Sequence, residues 1–152
     1  MSIREAKRLA EFSSAVRDST IKRLRLVPEG MENWRIDEDA MSFADLGQHI
    51  VDADEWLFRA MEGKKQSPLK GRSGLLTVVN RSEFARLIDE LARTGKSRRD
   101  LIEGMSSRRF AEMMFDQRFG SQVSTWWVVV RGNLDHEIHH RGQIIAYLRM
   151  SK

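Results

Sequence analysis

The four histidines of this chain are unevenly placed. Three fall within His136-Glu137-Ile138-His139-His140, and the fourth is His49, far upstream. Imidazole is the commonest metal ligand among side chains. On a helix, residues four apart stand one turn above the other on one face. At about 100° per residue, His140 lies about 40° from His136, whereas His139 lies about 60° to the other side. His136 and His140 therefore read as two ligands, and His139 as an outer or surface residue. Asn133, Val129, Trp126, Gln143 and Tyr147 fall near the same face. Two imidazoles, two amides and aromatic walls do not suit a dry core, where unpaired polar groups are costly. They suit a polar cavity, and Trp56, Trp126, Asn133 and Tyr147 are the residues expected to wall a substrate pocket.

His49 shares a helical face with Leu46, Ala53, Trp56 and Ala60. It reads either as a core histidine hydrogen-bonded to a neighbour or as a third ligand. Three protein ligands and an open position describe a catalytic metal site. The same five residues also satisfy H-E-x-x-H, in which the Glu serves as general base beside zinc. Such enzymes take the third ligand from downstream, yet none of the twelve residues after His140 is His, Asp or Glu. A zincin-type protease is therefore not expected. Glu137 stays the candidate catalytic group, as an activator of metal-bound water, against the competing reading of a solvated glutamate. Asp45, Gln48, Asp52, Asn133 and Gln143 are candidate partners for the second ring nitrogens of His49 and His140.

The elements that must position these groups are helical. The 152 residues fit one domain, contain only two prolines, and show long 3.6-period patterns. A first helix is expected over about residues 3–25, with Leu9, Phe12, Val16 and Leu24 as its apolar stripe. Val27-Pro28-Glu29-Gly30 ends it, and Trp34 anchors the following connection. Ser42 with Asp45 three later reads as a cap opening a second helix to about Glu62. Gly63 to Gly74 reads as a polar loop. Asn80 with Glu83 caps a third helix carrying Phe84, Leu87, Ile88, Leu91, Leu101 and Ile102, weakened at Gly95 and Gly104. Arg108 to Phe119 fits helix poorly and reads as an extended crossover. Gly120-Ser121 then introduces the last helix. Its second face, Trp127, Val130, Leu134, Ile138, Ile145 and Leu148, is apolar and must pack on a neighbouring helix or a second subunit. The fold class is thus all-α, a four-helix bundle with a long crossover connection, and bundles hold metals between facing helices.

Composition narrows the function classes. There is no cysteine, so disulfides, thiolate ligands and a cysteine nucleophile are excluded. No apolar run approaches the roughly 20 residues of a membrane span. The N-terminus lacks the apolar core of a signal peptide, and a cytoplasmic location is expected. The net charge of +4 arises from many charges of both signs. Lys22-Arg23-Arg25, Arg98-Arg99 and Arg108-Arg109 read as solvated helix faces or loops. A dense basic stripe with stacking aromatics is not seen, so no nucleic-acid partner is expected.

The segments His136-x-x-His139-His140-Arg141-Gly142-Gln143 and Ser42-Phe43-Ala44-Asp45-Leu46-Gly47-Gln48-His49-Ile50 resemble those of the DinB/YfiT-like superfamily of helical-bundle metalloenzymes. The resemblance extends over nearly the whole chain, most securely residues 30–62 and 120–150. It implies that His49, His136 and His140 bind a divalent metal ion, with zinc, nickel and iron all compatible with the family. It further implies a homodimer. The activity would be metal-dependent hydrolysis, or transfer or isomerisation dependent on a low-molecular-weight thiol, with a small-molecule substrate. The contrasting expectation is a non-catalytic metal-binding or protein-interaction bundle.

Overall fold

The computed structural model describes residues 2–66, 69 and 76–151. Of the polar loop expected from Gly63 to Gly74, residues 67, 68 and 70–74 lie outside the described residues. Helix α1 spans Ile3–Leu24, α2 Phe43–Met61 and α3 Arg81–Glu103. A short helix α4, Ser107–Ala111, leads into a hairpin of β1, Met113–Asp116, and β2, Ser121–Ser124. The last helical run starts with α5, Thr125–Trp127, widens into a π-helical stretch at Val128–Leu134, and continues as α6, Asp135–Met150.

The caps explain where the long helices begin. Ser42 accepts from the Asp45 amide and Asp45 accepts from the Ser42 amide, each at 2.9 Å, so two otherwise orphaned donors are satisfied reciprocally. Ser2 and Glu5 do the same for α1, and Asn80 accepts from the Glu83 amide at α3. Gly95 does not interrupt α3. A Cβ there would stand 2.6 Å from Arg17 Cγ, so the missing side chain lets α1 and α3 approach around that arginine. Gly104 is the C-cap of α3.

Helices α1 and α2 each pack against both α3 and α6, which makes a four-helix bundle whose spatial order differs from chain order. Two apolar clusters fill it. One gathers Leu24, Phe43, Leu46, Ile50, Phe84, Leu91 and Ile144, with Trp34 and Tyr147 packed against it. The other gathers Ala6, Ala10, Trp56, Leu57, Ile102, Phe110, Val128 and Val129. Trp34 is the expected anchor, stacked on Phe43 with ring centroids 5.7 Å apart. Phe12, expected in the α1 stripe, is exposed.

Three further expectations need correction. The segment Arg108 to Phe119 is not a plain extended crossover, because it contains α4 and the first strand of an antiparallel hairpin. The last helix starts at Thr125, four residues after Ser121, with Ser124 as its cap. Arg98 is not on a solvated face. It is 1% exposed and belongs to a buried charge cluster. In each long helix the members of this cluster fall between the residues of the two apolar clusters: Arg17 on α1, Asp54 on α2, Arg98 on α3 and Glu137 on α6. No helix among the described residues is long and apolar enough to cross a membrane.

Candidate metal centre

His49 reaches the centre from α2, and His136 and His140 reach it from the first turns of α6. Their ligand atoms all lie within 4.8 Å of one another. His49 Nε2 is 2.9 Å from His136 Nε2, and His140 Nε2 is 3.0 Å from the same atom. His49 and His140 are buried, and His136 is half-buried. Burial lowers the pKa of His136 to about 3, helped by the neighbouring His140 and His49 and by Arg118. Burial also lowers His140, to about 4, against an opposing hydrogen bond to Gln143. Both rings are therefore neutral at physiological pH, the form that donates a lone pair.

The donor set fits a divalent cation. His140 Nδ1 is 2.6 Å from Gln143 Oε1. An amide oxygen can only accept, so Nδ1 carries the proton and the Nε2 lone pair is free for a metal. Nitrogens bound at about 2.0–2.1 Å to one ion stand about 2.9 Å apart at a right angle, the spacing found around His136. Three converging imidazole nitrogens share at most two hydrogens among themselves if each ring stays neutral, and a cation satisfies all three at once. His136 Nδ1 is buried without a partner among the described residues. His49 was open between a core histidine and a ligand, and its Nε2 sits with the other two.

The second-nitrogen partners sort themselves by contact. Gln143 serves His140. Gln48 bonds instead to Asp52 at 3.0 Å, and Asn133 donates to the Ala53 carbonyl at 2.9 Å. Asp45 bonds at the α2 cap and to Arg35 and Thr77, among its contacts.

Glu137 is neither a solvated residue nor a neighbour of the histidine nitrogens. It is 1% exposed. Its carboxylate accepts from Arg17 Nη2 at 2.8 Å, Arg98 Nη1 at 2.7 Å and Thr20 Oγ1 at 2.6 Å. Burial alone would raise its pKa, but the guanidinium groups of Arg98 and Arg17 outweigh that and hold it at about 2. A carboxylate so held is a poor proton acceptor, so the expectation of a general base at this position is corrected. Asp54 completes the cluster, bonding Arg17 at 2.6 Å and Arg98 at 3.1 Å. The cluster ties α2 and α6, the two helices that carry the histidines, to α1 and α3.

A cavity of about 430 Å³ opens beside His136. It is lined by Arg118, Phe119, Arg131, Gly132, Asp135, His136 and His139. None of the four residues expected to wall a pocket lines it. Trp56 is 2% exposed and lies beneath Arg118, whose Cζ is 3.7 Å from its ring centroid. Asn133 is buried and accepts from Arg118 Nη1 at 3.0 Å. Both thus support the wall from behind. Tyr147 packs edge-on against Trp34 and Phe43, and Trp126 is 41% exposed. His139, assigned to the outside, is exposed and lines the cavity mouth. Arg118 and Phe119 carried no sequence signal beyond membership of a short segment between Asp116 and Gly120.

The profile of the DinB superfamily matches residues 14–144. The chain belongs to the DinB superfamily. Its fold is similar to that of a DinB-like protein, YjoA, from Bacillus subtilis. That similarity has a TM-score of 0.70 at 17% identity and covers 95% of this chain and 91% of the other. Comparison with curated proteins gives no match.

Proposed function

We propose that this chain is a divalent-metal-dependent enzyme acting on a small molecule, a hydrolase or a low-molecular-weight-thiol-dependent transferase. The observation that carries the reading is the convergence of His49, His136 and His140 Nε2 atoms beside the 430 Å³ cavity. When bound, a divalent ion held by neutral imidazoles supplies a Lewis acid that lowers the pKa of a water or thiol. The chain's own residues do the rest. Gln143 fixes the His140 tautomer, the buried charge cluster braces the two ligand-bearing helices, and Arg118, Phe119 and His139 shape the approach. Zinc, nickel and iron all suit an all-imidazole set. A homodimer is part of the same reading, with half-buried Ile138 and Ile145 as the side chains it would cover, whereas Leu148 packs on the chain's own core.

The commitment of Glu137 to Arg17 and Arg98 favours one rival, a bundle that binds metal without catalysis. A turnover screen over ester, amide, epoxide and thiol-acceptor substrates separates the two. Activity that disappears in His136→Ala supports the enzyme. Full metal loading with no turnover on any class supports the rival, and turnover that survives His136→Ala places the chemistry elsewhere.

A further inference from the structure

The hairpin between β1 and β2 delivers one arginine to the cavity, and that arginine is unusually well anchored. Asp116, which is 0% exposed, accepts from Arg118 Nε at 3.0 Å and from Nη2 at 2.8 Å. Nη1 donates to the Gly132 carbonyl and to Asn133 Oδ1, both at 3.0 Å. The flat face of the guanidinium lies on Trp56. A Cβ on Gly132 would stand 2.9 Å from Arg118 Cζ, so the π-helical turn leaves room for the guanidinium only because residue 132 is glycine. Such turns recur at functional sites.

An arginine has five N–H donors, and these contacts use four. One Nη2 hydrogen has no acceptor among the described residues, although the side chain keeps 16% exposure and lines the cavity. Phe119 follows it on the hairpin, is 39% exposed, and meets Trp127 edge-on at 6.0 Å. The cavity therefore has a rigid guanidinium N–H donor next to an apolar wall.

Charge narrows the ligand. The titratable lining groups other than histidine are Arg118, Arg131 and Asp135, and the buried Asp116 carboxylate behind Arg118 offsets that guanidinium, so the wall is close to neutral. Arg131 is paired with Asp135, and the Asp135 carboxylate disfavours a dianion. The three-histidine group contains no carboxylate to offset a cation. A monoanion suits this balance better than a phosphate. The remaining Nη2 hydrogen can make one charge-assisted hydrogen bond to a carboxylate oxygen.

We propose that Arg118 and Phe119 form the recognition pole of the cavity, and that its ligand is a small organic carboxylate with an apolar body. The carboxylate sits on Arg118 and the apolar body on Phe119. This rests on the metal-enzyme reading for its purpose but not for its test.

The test is calorimetric titration of the purified chain, metal-free and zinc-loaded, with phenylacetate, its neutral analogue phenylacetamide, phenyl phosphate, and acetate as the carboxylate without an apolar body. Phenylacetate is expected to bind about tenfold more tightly than phenylacetamide or phenyl phosphate. Arg118→Lys, which keeps the charge but cannot hold Asp116, Gly132 and Asn133 while offering a further N–H, is expected to remove most of that preference. Phe119→Ala lies outside the buried network. It should weaken phenylacetate by about fivefold and leave acetate unchanged. Equal binding of acid and amide, tightest binding of phenyl phosphate, or no binding at millimolar phenylacetate would each overturn the proposal. So would a preference that survives Arg118→Lys, or an unchanged phenylacetate affinity in Phe119→Ala. A preference seen only with zinc and unaffected by Arg118→Lys assigns the carboxylate to the metal, overturning this inference but not the metal reading. Failure to take up zinc overturns the metal reading alone, because the Arg118-dependent preference is read in metal-free protein as well.

Discussion

Replacing Glu137 with glutamine probes the bundle at its most charged point. The substitution keeps the shape, removes the charge, and can turn an amide N–H2 toward guanidinium donors. Arg17 and Arg98, 2% and 1% exposed, would lose one of the two carboxylates that compensate them. Breaking a buried ion pair from one side costs about 3–5 kcal/mol. The titration of Glu137 gives a similar figure. A carboxyl held at about 2 against an ordinary value of 4.5 corresponds to about 3 kcal/mol of folding free energy at neutral pH. Domains of this kind have about 5–15 kcal/mol in total. At about 2–4 °C per kcal/mol, Glu137→Gln should lower Tm by roughly 6–20 °C. The sign with pH follows from a folded pKa below the unfolded one. The contribution is complete above about 4.5 and disappears as pH falls through about 2. Urea unfolding followed by tryptophan fluorescence should therefore show a wide gap between wild type and variant at pH 7, narrowing toward pH 2. A gap below about 1 kcal/mol at pH 7, or one that does not narrow in acid, would refute the reasoning. A loss of turnover in Glu137→Gln with no loss of stability would return this residue to the chemistry.

Three further outcomes are expected. Gly132→Ala should displace the Arg118 guanidinium and cost about 1–3 kcal/mol. The change should show in Trp56 near-UV circular dichroism, and an unchanged spectrum and stability would contradict it. In metal-free protein, His136 and His140 titrate well below their ordinary value of 6.5. The unfolded chain then takes up protons first, so stability should fall as pH drops from about 6.5 toward about 4 and 3. A flat unfolding free energy over that window, once carboxylate contributions are matched in a His136→Gln/His140→Gln variant, would contradict the burial of these rings. His139→Ala should leave metal content unchanged, because His139 is exposed at the cavity mouth, and elemental analysis that finds metal lost would make it a ligand.

Much of the frame was legible because it depends on local rules. The caps at Ser42 and Asn80 and the stop after Leu24 are short-range signals, and the structure places them within a residue or two of expectation. The His136/His140 face was legible because both residues lie on regular α6, where the 100° rule holds. Upstream it fails for a physical reason. Residues 128–134 are π-helical, with more residues per turn, so projecting that wheel back to Trp126 put an exposed tryptophan on the inner face. The buried cluster was hidden for another reason. Hydropathy patterning treats Arg17, Asp54, Arg98 and Glu137 as surface residues, and only their convergence from four helices makes them core. Arg118 was hidden because it lies in the turn after β1, a strand four residues long in which only Asp116 is buried, too short a pattern to set a period.

The central claim is that His49, His136 and His140 together hold one metal ion. The most direct test is metal content per chain, by elemental analysis after loading and desalting, for wild type and His49→Ala. The account predicts about one divalent ion per chain in wild type and loss of it in His49→Ala, with the helical circular dichroism of the two proteins alike. Equal metal content in the two proteins, or none in either, would contradict it.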